Sequence, residues 1–329
     1  MKDLSDKTVY VIGGSGDLGK EISKLLAAQG AHVTIFARRQ GPLDGARDEI
    51  LAARRNDTQQ VDAVSVDMAN AVEVETTFRA QPRLADIVYC VAGGTATQCG
   101  FLTDIDATDL DSCMRNNYFT SAYSAQSIFK IWTEDDTKAA PAKTPKLRQI
   151  VFINSAGAFV GLPGYTAYTP SKCAVRALAD TLRMEAIRHS GPASRYTVHC
   201  AFPSNFITGA FMEEQKKKPE LTKQIEGTTG SLEELQKRFP SAEEVACKII
   251  AAVGKGEFAI CDDSFESALL FSNMIGPSPK RGLGIVDSLL AVIVGLFVWP
   301  ILRRQWDAKC KKDGEEYRQA QHAKAAEYS

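Results

Sequence analysis

Short apolar runs alternate with segments of helical periodicity along most of the chain. The predicted strands cover residues 9–12, 31–37, 62–66, 87–91, 150–154, 197–202 and 258–261. One predicted helix follows the glycines at 13–19, and others cover residues 48–55, 71–79, 109–131, 168–188 and 242–253. Alternating strands and helices are typical of the α/β class. The pattern therefore predicts a Rossmann-like, doubly wound parallel sheet in a single large domain.

Two polar segments interrupt this alternation. Residues 133–149 contain two prolines and several charges, which predicts a solvated surface loop. Residues 212–238 are highly charged and follow the sixth predicted strand. We expect them to form a helical excursion near the carboxyl edge of the sheet, where ligands bind in folds of this class.

An apolar stretch near the C-terminus, residues 283–302, differs from everything before it. It holds one acid, Asp287, and basic pairs flank it at 280–281 and 303–304. A helix of this length spans about 30 Å, the thickness of a bilayer's hydrocarbon core. We expect a main domain of residues 1–265 and a membrane-associating segment with a polar tail at 266–329. The alternative is a buried or oligomer-forming helix.

The charges around this segment conflict with other signs of its orientation. More lysines and arginines follow residue 303 than lie at 280–281, so a single span with a cytoplasmic tail would place the main domain in the lumen. The polar first seven residues predict no signal peptide, which favours a cytoplasmic domain. We therefore expect a re-entrant or in-plane anchor, helped by residues 268–275.

Composition narrows the function classes. The chain has 329 residues, 44% of them hydrophobic and 24% charged, as in ordinary globular proteins. Its net charge of −1 gives no indication of nucleic-acid binding. Eight scattered cysteines and four histidines show no metal-ligand spacing. This cysteine usage predicts thiols in a reducing compartment and no metal site.

A glycine-rich turn joins the first predicted strand to the first predicted helix. The spacing fits Gly14-x-Gly16-x-x-Gly19 and also Gly13-x-x-Gly16-x-x-Gly19. Glycines let the backbone approach a pyrophosphate, and the helix N-terminus stabilises its charge. The turn therefore predicts a dinucleotide cofactor.

The end of the second strand indicates which cofactor is bound. Arg38 and Arg39 stand where an enzyme that prefers NAD has an acid for the ribose 2′-hydroxyl. Two guanidinium groups suit a 2′-phosphate, so we expect NADPH; a solvated arginine pair is the alternative. Ser15 could donate a further hydrogen bond to that phosphate. Asp67, at the tip of the third strand, is placed to accept one from the adenine amine.

Tyr168 and Lys172 form a Tyr-x-x-x-Lys pair, which lies on one face of a helix. A lysine cation beside a phenol lowers the phenol's pKa, so Tyr168 could exchange a proton near neutral pH. Ser155, at the end of the fifth strand, can hold a carbonyl oxygen against that phenol. Tyr165 is the competing tyrosine, but the residue four positions after it is Thr169 rather than lysine.

These residues together resemble the short-chain dehydrogenase/reductase family over residues 5–265. The resemblance rests on the glycine turn, the Ser-Tyr-Lys set and further positions that match the family pattern, namely Asp67, Ala92, Gly93, Asn117, Pro203 and Thr208. It implies reduction of a ketone by hydride from a nicotinamide. It also implies that Ala92 and Gly93 adjoin the cofactor and that Lys172 holds its ribose. By the same resemblance, Asn117 supports a water relay and Thr208 contacts the carboxamide, with a local cap or turn contact as the alternative for either.

Three positions depart from the family pattern. The middle glycine of the usual turn falls on Asp17, which places an anion near a pyrophosphate and could weaken cofactor affinity. The usual Asn-Asn-Ala-Gly reads Cys90-Val91-Ala92-Gly93, and the usual Pro-Gly reads Pro203-Ser204. None of these changes removes a proton-transfer residue.

Within the family, the string at 150–186 and the apolar C-terminal stretch resemble a subfamily that reduces a 3-keto sphingoid-base precursor at the endoplasmic reticulum. This implies a long-chain keto-lipid substrate, an endoplasmic reticulum membrane and a catalytic domain facing the cytoplasm. Residues 204–238 occupy the position of the family's substrate lid. The family also suggests a homodimer or homotetramer. A steroid, retinoid or fatty acyl ketone remains an alternative substrate, and a non-catalytic NADP(H)-binding scaffold or redox sensor is the alternative of another class.

Overall fold

Seven parallel strands form the sheet at the centre of the protein, of which the computed structural model describes residues 3–95, 98–138, 144–262, 265–274 and 278–327. The strands are β1 (Thr8–Ile12), β2 (His32–Ala37), β3 (Val61–Ser65), β4 (Ile87–Cys90), β5 (Lys146–Ile153), β6 (Ser194–Phe202) and β7 (Ala259–Cys261). Their order is β3-β2-β1-β4-β5-β6-β7. The order reverses between β1 and β4, and doubly wound sheets bind their ligands at such a point.

Helices cover both faces of the sheet. They are α1 (Asp17–Ala28), α2 (Gln40–Ala53), α3 (Ala71–Arg79), α4 (Ala107–Met114), α5 (Thr120–Lys138), α6 (Tyr168–His189) and α10 (Ala242–Lys255). Three short helices, α7 (Gly209–Lys217), α8 (Glu220–Glu226) and α9 (Leu232–Arg238), form the predicted excursion after β6. The C-terminal region contains α11 (Phe265–Ser272), α12 (Ile285–Ile293) and α13 (Trp299–Glu327).

The core divides into two layers because successive strand residues point to opposite faces. In β1, Val9 and Val11 pack with the helices α1, α2 and α10, whereas Tyr10 and Ile12 pack with α3, α5 and α6. All four side chains are fully buried. The central strands therefore show continuous apolar runs, as expected for a parallel sheet covered on both faces.

Three predicted boundaries are wrong: the start of α2, the end of α5 and the start of β5. Helix α2 begins at Gln40, not at residue 48, and Pro42 lies in its first turn, where proline is tolerated because no backbone donor is needed. The predicted loop at 133–149 is shorter, since α5 continues to Lys138 and β5 starts at Lys146. The buried Arg148 on β5 pairs with Asp135 and Asp136 on α5, so these charges hold secondary structure together. The centre of that loop, residues 139–143, lies outside the described residues.

The long helix predicted at 109–131 is present as two α-helical segments. Between α4 and α5, the five residues Arg115–Phe119 form one π-helical turn. Such turns rotate the side chains that follow and often occur at functional sites. Here the turn contains Asn117, whose side chain is fully buried.

The predicted apolar segment is a helix that could cross a membrane by length and composition. The candidate span lies within Ile285–Tyr317, and its most apolar 18-residue window has a mean hydropathy of 2.4 and is only 11% buried. Asp287, the single acid of residues 283–302, accepts hydrogen bonds from the backbone N–H and guanidinium of Arg281. The helix also touches the main domain, because Lys309 Nζ donates to the Gln224 carbonyl at 3.1 Å. Of the anchor predicted at 268–275, residues 268–272 are helical in α11, and 275 lies outside the described residues.

Candidate active site

One cavity of about 1770 Å³ lies at the carboxyl edge of the sheet. Its floor is made by the glycine turn after β1 and by the ends of β2, β4 and β5, and the lid helices α7–α9 close one side. Apolar side chains from the C-terminal region line the remaining wall, namely Leu269, Leu270, Trp299, Leu302 and Trp306. The cavity therefore joins a polar floor to an apolar wall.

The glycine turn leaves its backbone bare. Gly13 has a φ of 84°, and a Cβ added there would lie 2.6 Å from the Ala92 nitrogen. A Cβ on Gly19 would lie 2.3 Å from the Gly13 carbonyl oxygen. Gly16 is not crowded in this way, and it precedes α1 as its N-cap. The turn thus offers exposed backbone at a helix N-terminus, which fits a pyrophosphate.

Asp17 is the first residue of α1, and its carboxylate faces the lid. Its Oδ2 accepts a hydrogen bond of 2.6 Å from the Gly209 backbone nitrogen at the start of α7. The acid that replaces the family's middle glycine is therefore engaged by the lid, while its charge stays at the edge of the glycine turn.

The residues predicted to select the cofactor line the same cavity. Arg38 and Arg39 are exposed at the end of β2, and neither guanidinium forms an ion pair within the described ranges. Ser15 lies in the glycine turn. Asp67 is exposed just after β3, where its Oδ1 accepts a hydrogen bond of 3.0 Å from the Ala69 nitrogen. The arrangement leaves two cations facing the cavity beside β2.

Ser155, Tyr168 and Lys172 lie together in the lining of the cavity. Ser155 follows β5, and its Oγ accepts a hydrogen bond of 3.1 Å from the Gly157 nitrogen, which leaves its proton for donation. Tyr168 begins α6, and the Lys172 Nζ lies 5.6 Å from the centre of its ring. Lys172 is buried and donates to the Ile153 carbonyl at 3.2 Å. The structure thus brings the three predicted residues together.

The expected effect of Lys172 on the tyrosine is wrong for this structure. Burial raises the pKa of the Tyr168 phenol, and a hydrogen bond with Ser155 only opposes that increase. Burial also lowers the pKa of Lys172 from its ordinary 10.5 to about 8. The lysine therefore carries less positive charge near pH 8 than an exposed lysine, because a low-dielectric interior disfavours its ammonium form.

Asn117 fixes the loop after β4. Its Oδ1 accepts a hydrogen bond of 2.9 Å from the Gly94 nitrogen, and its Nδ2 donates to the Gly94 carbonyl at 2.9 Å. A Cβ on Gly93 would lie 2.5 Å from Asn117 Oδ1 and 3.4 Å from Lys172 Nζ. Asn117 thus holds the Ala92–Gly94 wall of the cavity against the lysine. Its part in a water relay stays a prediction.

Thr208 makes the local contact that was its alternative interpretation. Its Oγ1 accepts a hydrogen bond of 2.9 Å from the Phe211 nitrogen and caps α7. The same residue lines the cavity, so its hydroxyl proton remains available for a ligand. Its contact with a carboxamide stays a prediction.

A charged cluster in the lid was missed by sequence reasoning. The Tyr165 hydroxyl donates to Glu214 at 2.7 Å and to Glu226 at 2.9 Å. Lys218, fully buried, pairs with both carboxylates and lies 5.4 Å from the Tyr165 ring. The i, i+4 spacing of Glu214 and Lys218 was the one available signal. We refer to Tyr165, Glu214, Lys218 and Glu226 as the lid cluster.

The lid cluster explains why Tyr165 does not compete with Tyr168. Its hydroxyl proton is committed to two carboxylates, and burial together with those negative charges raises its pKa well above the ordinary value. Its ring lies 5.6 Å from the Tyr168 ring, so it packs beside the candidate acid without sharing its position.

Comparisons with known proteins identify the family of this chain. The family profile described as short chain dehydrogenase matches residues 7–219. The chain is 33% identical over 299 residues to 3-dehydrosphinganine reductase of Danio rerio. The aligned region covers 89% of this chain and 82% of that protein. It is 30% identical over 321 residues to a 3-ketodihydrosphingosine reductase of Aspergillus fumigatus, covering 92% and 84%. It is also 32% identical over 306 residues, 93% of this chain, to a PIGF/3-ketodihydrosphingosine reductase fusion protein of Schizosaccharomyces pombe, of which it spans only 57%.

Solved structures share the fold. Levodione reductase superposes with a TM-score of 0.65 at 19% identity, covering 80% of this chain and 98% of that one. A short-chain dehydrogenase/reductase of Burkholderia phymatum, determined in complex with NAD, gives 0.64 at 18% identity, with 86% and 100% covered. At these identities the likeness concerns the fold.

Proposed function

The chain belongs to the short-chain dehydrogenase family, and from that premise we propose that it reduces 3-ketodihydrosphingosine to dihydrosphingosine in sphingolipid biosynthesis. The observation that carries the proposal is the continuity of the cavity. Ser155, Tyr168 and Lys172 lie together in its lining, and the apolar side chains of the C-terminal region form its outer wall. A polar reaction site with a long apolar extension fits a ketone at the head of an alkyl chain.

Ser155 and Tyr168 have different roles at the reacting carbonyl. The Ser155 hydroxyl donates a hydrogen bond to the carbonyl oxygen, and Tyr168 protonates the same oxygen as negative charge develops there. Lys172 would hold a ribose hydroxyl of the bound cofactor. Asn117 keeps the loop after β4 in contact with Lys172. When bound, the nicotinamide cofactor supplies the hydride.

We further propose NADPH as that cofactor. The fit rests on the bare glycine turn and on the two guanidinium groups after β2. Arg38 and Arg39 would hold the 2′-phosphate with Ser15, while Asp67 would accept a hydrogen bond from the adenine. Thr208 and Gly93 would contact the nicotinamide end.

The membrane assignment follows from the C-terminal helix. We propose residues 266–329 as the membrane-associating part and residues 1–265 as a catalytic domain on the cytoplasmic face of the endoplasmic reticulum. The exposed apolar face of α12 supports membrane contact, with Ile285, Leu289 and Val292 all more than half exposed. Trp299 and Leu302 belong to the same helix and to the cavity wall, so a lipid in the bilayer would lie beside the opening.

A substrate panel tests this function. Detergent-solubilised full-length protein would be incubated with NADPH and one of four carbonyl compounds: 3-ketodihydrosphingosine, a 3-ketosteroid, a retinal or a 3-keto fatty acyl thioester. We expect dihydrosphingosine, identified by mass spectrometry, to form at least tenfold faster than any other product. Faster reduction of another ketone would contradict the proposal, and NADPH binding without any product would indicate a scaffold or sensor.

A further inference from the structure

The lid cluster faces the cavity beside the catalytic tyrosine. Glu214 and Glu226 line the cavity together with Tyr165 and Tyr168. Both carboxylates accept from the Tyr165 hydroxyl, and the Tyr165 and Tyr168 rings are 5.6 Å apart. The two acids therefore stand one aromatic ring away from the phenol that protonates the carbonyl oxygen.

The lid cluster carries a surplus negative charge. Among the described residues, Lys218 is the one cation within ion-pair distance of either carboxylate. Two carboxylates and one ammonium leave a net charge of −1 at side chains that are only 13% exposed. The Oε1 atom of Glu214 accepts from the Tyr165 hydroxyl and also lies 2.8 Å from Lys218 Nζ. A largely buried charge of this kind is costly unless a second cation joins it.

A second polar group in the same cavity also lacks a partner. The Thr95 hydroxyl is buried, with 3% of the residue exposed, and makes no hydrogen bond within the described ranges. It belongs to the loop after β4, on the floor of the cavity. An unpaired buried hydroxyl costs free energy, which a polar substituent on a ligand would recover.

We propose that the lid cluster binds the ammonium group of an amino ketone. The inference rests on the proposed function, since 3-ketodihydrosphingosine carries its amine on the carbon next to the ketone and a hydroxyl on the carbon beyond. With the carbonyl oxygen at Ser155 and Tyr168, that ammonium nitrogen is two bonds from the reacting carbon. Glu214 and Glu226 supply the negative charge, and Thr95 is a partner for the hydroxyl.

The lid cluster would disfavour neutral ketones as well as attract amino ketones. A neutral steroid or retinoid ketone would displace water from Glu214 and Glu226 without replacing its hydrogen bonds. Sites that pair a charged or polar substituent reject analogues that lack it, because their own buried groups are left unpaired. The lid cluster would therefore favour amino ketones among lipids that fit the same apolar wall.

The test compares two ketones that differ in one group. The full-length protein would reduce 3-ketodihydrosphingosine and its 2-desamino analogue at pH 7, and the ratio of the two kcat/KM values is the readout. We expect the wild-type ratio to favour the amine by about ten- to a hundredfold, the range for a hydrogen bond to a charged group. Glu214→Gln, which leaves Lys218 paired with Glu226, should lower the ratio by a similar factor.

Controls separate recognition from structure. Glu213→Gln lies on the same helix, is 63% exposed and should leave the ratio unchanged. A purely structural role of the lid cluster would lower both rates in Glu214→Gln and preserve the ratio, which would overturn the inference. Glu226→Gln provides a second variant if the first does not fold. Equal wild-type rates on the two ketones overturn the inference without any variant, whereas no turnover of either ketone contradicts the proposed function instead.

Discussion

The Asp17 carboxylate accepts a hydrogen bond of 2.6 Å from the Gly209 backbone nitrogen, across 192 residues of sequence. One partner opens the helix after the glycine turn, and the other opens the first helix of the lid. The contact therefore ties the candidate cofactor site to the lid, and it does so through an acid where the family has glycine.

Replacing Asp17 separates its charge from its hydrogen bond. Asp17→Asn keeps an acceptor for Gly209 and removes a negative charge from the helix N-terminus that would face a pyrophosphate. We expect NADPH to bind about threefold more tightly at low salt, with the gain shrinking as salt increases. Fluorescence titration of NADPH measures this, with Glu21→Gln on the same helix as the control. Weaker binding by Asp17→Asn would show that the charge supports the site.

The arginines after β2 should determine the choice between cofactors. Arg38→Ala/Arg39→Ala removes both cations that face the cavity there. We expect NADPH affinity to fall by about a hundredfold, because charge-assisted bonds to the 2′-phosphate are lost, while NADH affinity changes little. Isothermal titration with both cofactors gives the ratio, and Arg54→Ala, at the other end of α2, is the matched control. An equal loss for the two cofactors would refute a role in 2′-phosphate recognition.

Burial of Lys172 makes folding stability depend on pH. Its pKa is about 8 in the folded protein and 10.5 ordinarily, so the unfolded chain binds more protons between these values and stability rises with pH across that window. Lys172→Met should lack this rise. Between pH 8 and 10.5, its free energy of unfolding should therefore fall by about 3 kcal/mol relative to that of wild type. Denaturant unfolding without added cofactor measures the difference. Lys130→Met, at an exposed position, should follow the wild-type slope, and a wild-type slope in Lys172→Met would disprove the shift.

The apolar wall should make the reaction rate depend on the length of the substrate's alkyl chain. Leu302→Ala removes part of the wall contributed by α13. We expect the preference for an 18-carbon over a 10-carbon amino ketone to fall by about tenfold, because a few buried methylene contacts are lost. Leu296 lies on the same continuous helix, is 65% exposed and does not line the cavity. Leu296→Ala should keep the preference, and the same loss in both variants would argue against a substrate-lining role.

The sheet could be predicted because a strand that is buried on both faces has a continuous run of apolar residues. Val9 and Val11 serve one layer and Tyr10 and Ile12 the other, so β1 appears as an unbroken apolar run. Helix α2 was harder to delimit, since Gly41 and Pro42 are typical of a turn and only their place in the first helical turn makes them compatible with a helix.

Part of the candidate site could likewise be predicted from the sequence, and part could not. Ser155, Tyr168 and Lys172 carry local spacing, and the structure joins them as predicted. The lid cluster has no such local spacing, because Tyr165 lies 49 and 61 residues away from its two acids along the chain. Only the folded lid brings these side chains together. The raised pKa of Tyr168 was also missed, since its main cause is burial, which is a property of the folded chain.

We propose that Tyr168 delivers the proton when this chain reduces 3-ketodihydrosphingosine. The most direct measurement is NADPH oxidation with that ketone by wild type, Tyr168→Phe and Tyr165→Phe, with NADPH binding measured in parallel. We expect Tyr168→Phe to bind NADPH normally and to turn over about a thousandfold more slowly, and Tyr165→Phe to lose no more than about tenfold. Turnover by Tyr168→Phe at the wild-type rate, or its loss only in Tyr165→Phe, would contradict the account.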